Sequence, residues 1–158
     1  MTSPMTPPMT RIHATGVLVA GRGVLLRGPS GAGKSMLALA LLDRAETRGE
    51  TALLVGDDRV GIEADDARLY MLAPEPIAGL IELRGRGIVR RPHVARAPVD
   101  LVVDLVPDLA RMPEDEELET EILGVTLARC PAPAAPAGSL AHQLLLVVEA
   151  LRAGHTPV

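Results

Sequence analysis

Aromatic residues are nearly missing from this 158-residue chain, which has one Tyr, no Phe and no Trp. Its core must therefore be built from Leu, Val, Ile, Ala and Met, and base stacking on aromatic faces is excluded as a mode of nucleic-acid binding. Cysteine occurs once, at Cys130. That rules out an intramolecular disulfide and any multi-cysteine zinc or iron–sulfur centre, and Cys130 reads as inert. The histidines His13, His93, His142 and His155 are scattered, none at ligand spacing from another. No apolar run approaches the ~20 residues of a membrane-spanning helix. The opening MTSPMTPPMT lacks the basic and apolar regions of a secretory signal. A net charge of −4 leaves no electrostatic footprint for nucleic acid. The expectation is a cytoplasmic, soluble, single-domain protein without nucleic-acid or membrane partners. Lysine is the last scarcity: of 16 basic residues only Lys34 is Lys, leaving 15 arginines. A lone ammonium among guanidinium groups suggests a task suited to a compact point charge, such as binding phosphate.

Residues 1–10, rich in Thr, Pro, Ser and Met, read as a disordered arm preceding a catalytic domain over 11–155. GVLVAGRGVLLR (16–27) reads as a hairpin turning at Gly21-Arg22-Gly23. KSMLALALLDRAET (34–47) has helical composition, with Gly49 placed to stop it. TALLV (51–55) reads as a buried strand, and RVGIE and ARLYML as a second hairpin turning at Ala64-Asp65-Asp66. LIELRG (80–85) and VDLVVDLV (99–106) are further strand candidates. PEDEELETE (113–121) reads as a solvated acidic face, and CPAPAAPAG (130–138) as a loop. SLAHQLLLVVEALRAG (139–154) reads as a helix capped by Ser139, with Gly154 near its end. Strict strand–helix alternation would give a parallel sheet, but hairpins enter the glycine-rich segment, so the sheet should be mixed.

That segment, Gly28-Pro29-Ser30-Gly31-Ala32-Gly33-Lys34-Ser35, is a complete G-x-x-x-x-G-K-S loop between an apolar strand and a helix. Glycines let successive N–H groups converge on an anion, and the helix N-terminus adds its positive end. Lys34 can reach the β- and γ-phosphates, and the Ser35 hydroxyl suits Mg²⁺. A nucleotide site is the firmest functional inference. Its acidic partner should end a neighbouring strand. Asp57-Asp58 after TALLV fits better than Asp104, which lies within its apolar run.

These residues resemble those of the HPr kinase/phosphorylase family, in its short form without an N-terminal domain. The resemblance is carried by His13 ahead of GVLVAGRGVLLRG, by GPSGAGKS, by LVGDDRVGI, and by APEPIAGLIELRGRGIV. The last is the most specific, since it has no general P-loop meaning. The resemblance implies an α/β, phosphoenolpyruvate-carboxykinase-like P-loop core. It implies phosphorylation of a seryl hydroxyl on HPr or an HPr-like phosphocarrier with ATP and Mg²⁺, in phosphotransferase-system regulation. It also implies a reversal in which phosphate attacks phosphoserine to yield pyrophosphate. By position, Asp57 would be the general base, with Asp58 supporting the site or the metal. Lys34 would hold phosphates, Ser35 and Glu82 would ligate Mg²⁺, and His13 would stand near the catalytic acid. Arg84 would stabilise transferring charge. Arg86, Arg90 and Arg91 extend a basic cluster that can bind phosphate or dock an acidic partner edge. Two departures stand out: Met36 occupies a position expected to be acidic, and an arginine-rich loop tied to the reverse reaction has no clear counterpart, Arg129 being the one candidate. A non-catalytic nucleotide-sensing module and a small-molecule P-loop kinase are the alternatives. A homo-oligomer is compatible with the sequence, which leaves its assembly open.

Overall fold

A computed structural model describes residues 10–153. Positions 1–9, Gly154 and His155 lie outside them, so most of the expected arm is not described, but Thr10 opens a strand. The strands are β1 (Thr10–Ile12), β2 (Ala14–Val19), β3 (Arg22–Arg27), β4 (Ala52–Gly56), β5 (Val60–Asp65) and β6 (Arg68–Leu72). They continue as β7 (Leu80–Leu83), β8 (Gly87–Arg90), β9 (Arg96–Pro98), β10 (Leu101–Val106), β11 (Glu119–Ile122) and β12 (Val125–Pro133). The helices are α1 (Lys34–Thr47) and α2 (Leu140–Ala153).

The central sheet has the order β11-β12-β10-β3-β2-β4. β10 runs parallel to both β3 and β12, and the remaining pairs are antiparallel. The α/β fold with a mixed sheet is thus the one expected. Alternation along β3 divides the core: Val24 and Leu26 face the helices, and Leu25 faces the antiparallel sheet β1-β5-β6-β9. Each such fully buried aliphatic side chain contributes about 1.5–3 kcal/mol. β7 and β8 form a separate two-stranded hairpin.

Local chemistry explains the boundaries. The β2–β3 turn is Ala20-Gly21, both at positive φ, so the expected turn is displaced by one residue and Arg22 and Gly23 belong to β3. Gly23 is required by packing, since a Cβ there would lie 1.5 Å from the Pro98 carbonyl oxygen. The second hairpin is displaced the other way, turning at Asp66-Ala67, both at positive φ. α1 buries Leu37, Ala38, Leu41, Leu42 and Ala45 at helical spacing and ends in Arg48 and Gly49, whose N–H donates to Glu46 O. Ser139 caps α2 by accepting from His142 N at 3.1 Å.

The Pro/Ala segment from 130 corrects the loop expectation, because β12 continues through Pro133. Ala134 N donates to Val106 O, so Pro131 and Pro133, two apart, turn their missing N–H toward the other edge. β11 pairs only with Val125–Ala128 and leaves that edge without a ladder. The acidic run is exposed as expected, but its end forms β11.

Candidate active site

The glycine-rich loop joins β3 to α1 at the end of the central sheet. Gly33 stands at the helix start with φ +104°, and Gly31 has φ +85° with open space where a Cβ would be. Ala32 is buried behind the loop, and its carbonyl accepts from Ala135 N at 2.9 Å. Lys34 is buried, with Nζ donating to Gly28 O at 2.6 Å and Pro29 O at 3.1 Å. Burial pulls its pKa below the ordinary lysine value, partly offset by the negative charges of Asp58 and Asp57. A buried ammonium held only by carbonyls is the donor set an anionic phosphate fits, and Gly31 leaves room for close approach.

Asp57 and Asp58 follow β4 directly. The Asp57 carboxylate accepts from Ser35 Oγ at 2.6 Å and Thr15 Oγ1 at 3.1 Å through one oxygen, and from Glu82 N at 3.0 Å through the other. It thereby links α1, β2 and β7. Asp58 has the left-handed φ +63°, pairs with His13 Nε2, and is two-thirds exposed. Glu82 alternates with buried Ile81 and is exposed, as its strand pattern suggested. Arg84 sits in the turn after β7. One cleft of about 410 Å³ is shared by the loop, Asp57, Asp58, Glu82 and Arg84, with Met36 and Leu140 on its walls. Ser35, Asp57 and Glu82 supply oxygen donors of the kind a hard divalent cation takes.

The fold thus brings the candidate residues together. Asp104 is not among them: it lies on β10 and pairs with Arg27 and Arg129. Arg129 is committed there, also donating to Glu117 O at 2.8 Å. His93 is exposed, with its ring against Gly79 and outside the cleft. Two residues bonded to the site escaped the sequence. Thr15, a hydroxyl inside an apolar strand two residues after His13, joins the acid pair. Gln143, the lone amide in an apolar helix, donates to Pro133 O at 2.8 Å and Ala32 O at 3.4 Å behind the loop. Polarity inside an apolar run was the available signal for both.

The sequence profile described as HPr serine kinase C-terminal domain matches residues 5–153. The chain belongs to the HPr serine kinase C-terminal domain family. Relatives include the HPr kinase/phosphorylase of Clostridium tetani, 30% identical across 94% of this chain and 49% of the relative. That of Geobacillus thermodenitrificans is 38% identical across 85% of this chain and 45% of the relative. The chain spans about half the length of these curated relatives. The solved structure of the Hpr(Ser) kinase/phosphatase from Coxiella burnetii superposes with a TM-score of 0.71 at 27% identity, covering 91% of this chain and 89% of that one. Family membership extends the match past residue 106, where the motif resemblance fades. No helix among the described residues is long and apolar enough to cross a membrane.

Proposed function

We propose that this chain is a cytoplasmic ATP- and Mg²⁺-dependent kinase that phosphorylates a serine of HPr or an HPr-like phosphocarrier in phosphotransferase-system regulation. The observation that carries it is the convergence, in one cleft, of a buried P-loop lysine, the P-loop serine bonded to Asp57, and an exposed Asp58 that His13 pairs with. Lys34 and the loop N–H groups hold the phosphates of the donor. Ser35, Asp57 and Glu82 hold the cation. Magnesium, when bound, neutralises charge on the phosphate oxygens.

The hydrogen bonds favour a division of labour opposite to the one implied by position. Asp57 is occupied by three donors from three elements, which suits it to the metal side. Asp58 shares its carboxylate with His13 alone among the described residues and is open to a protein substrate. Asp58 therefore takes the proton from the seryl hydroxyl, and His13 orients it. Arg84 stabilises the transferring charge from the hairpin turn. With Arg129 bound to Asp104, the forward direction is favoured over phosphorolysis.

The test is intact-mass analysis of purified HPr after incubation with the chain, ATP and Mg²⁺, with Lys34→Ala and Asp58→Asn alongside. One phosphate on a serine, lost in both variants, is the expected result. Unmodified HPr from a chain that still binds ATP would favour a nucleotide-sensing module instead.

A further inference from the structure

We propose that the Thr15 hydroxyl is the positioning residue that sets the geometry of the acid pair; its effect on catalysis rests on the kinase reading above. Thr15 is completely buried near the start of β2. Its Oγ1 donates to Asp57 Oδ1 at 3.1 Å and accepts from Asp58 N at 3.1 Å. A hydroxyl has a single proton, and a backbone N–H can only donate, so the direction of both bonds is fixed. One oxygen atom thus ties the side chain of one aspartate to the backbone of the next.

The backbone shows why the tie is needed. Val17 lies opposite Leu54 on β4, yet Gly16 lies opposite Gly56, so β4 carries one extra residue just before the acids. Such a bulge bends the strand and re-aims the residues beyond it. Asp58 then adopts φ +63°, a left-handed conformation rare for residues with a Cβ but one that Asp reaches more readily than most. The bond from its N–H to Thr15 anchors that conformation and leaves the Asp58 side chain facing His13. The bond from Thr15 to Asp57 joins the one from Ser35 on the same carboxylate oxygen, which aligns Asp57 with the P-loop serine. Thr15 does not line the cleft, so it acts through the two aspartates.

The isosteric Thr15→Val keeps the shape and removes both bonds, whereas Thr15→Ser keeps them. In the valine variant kcat should fall about 10- to 100-fold, as expected for a misplaced catalytic group. KM for ATP should stay within about threefold, because the loop is untouched, and serine should restore kcat. A valine variant with wild-type kcat, or a serine variant as impaired as valine, overturns the proposal. Amide hydrogen exchange at Asp58 tests the same geometry without any substrate, and the wild-type chain alone suffices. The Asp58 N–H should be protected although the residue is exposed, and free exchange in the wild-type chain refutes the anchor even if valine fails to fold. A protected Asp58 amide in a chain that leaves HPr unmodified would uphold the positioning while the kinase reading fails.

Discussion

Asp57 and Asp104 belong to the same sheet, one just after β4 and the other inside β10, and they meet opposite surroundings. Asp104 receives Arg27 through bonds of 2.7 and 2.8 Å and Arg129 at 2.6 Å, with its side chain 15% exposed. Burial alone would raise its pKa, but the two guanidinium groups outweigh that and hold the carboxyl below its usual range. An acid neutralised in this way fastens β3, β10 and β12 together. Asp57 meets two hydroxyls and an N–H instead, and its neighbour Asp58 meets an imidazole. The difference lies in the adjacent strands. β10 runs between two strands that each offer an arginine, whereas β4 lies at the sheet edge beside β2, which carries Thr15 and follows His13. Strand order, more than the local sequence around an aspartate, decides whether it meets arginines or hydroxyls.

The largest expected effect tests the catalytic half of the comparison. Asp58→Asn should lower phosphoryl transfer about 10²- to 10⁴-fold, as for loss of a general base. Its stability in urea should change by no more than about 0.5 kcal/mol, as at an exposed site. Asp104→Ala should do the reverse, costing about 1–3 kcal/mol in urea unfolding by leaving two half-buried arginines without their acid. If both variants lost stability equally, the contrast between the two acids would collapse.

A smaller effect is the acid limb of stability. Because the folded pKa of Asp104 is depressed, its contribution is fully present above the unfolded carboxylate value of about 3.9 and is lost as pH falls through the folded value. Urea midpoints measured from pH 6 downward should show this loss in the wild-type chain, and Asp104→Asn should remove that component. An unchanged acid limb in the variant would mean that other carboxylates dominate. The smallest effect concerns Cys130, where burial pushes the thiol up to about 11, partly opposed by Arg129. A thiol reagent at pH 8 should label it only after denaturation; prompt labelling of the native chain would show that the β12 face opens.

The P-loop, its flanking strand and α1 were legible because their signals are local: a fixed spacing, an apolar run, and alanine and leucine at helical spacing. Glu82 was legible through alternation against Ile81. β12 was misread because Pro131 and Pro133 argue against a strand unless the edge they face is known to be unpaired. The position of Asp57 and Asp58 after a strand was legible, but their division of labour was not, since it depends on an extra residue in β4 and on a threonine more than forty positions earlier.

By itself, then, the sequence determined the phosphate loop, its single lysine, the mixed character of the sheet and the family, because each follows from short-range spacing or contiguous motifs. Only the tertiary structure decided which aspartate faces arginines and which faces hydroxyls, and that Thr15 lies between the acids. Those outcomes are set by strand order and register, which bring distant residues within hydrogen-bond distance and leave no mark in local sequence.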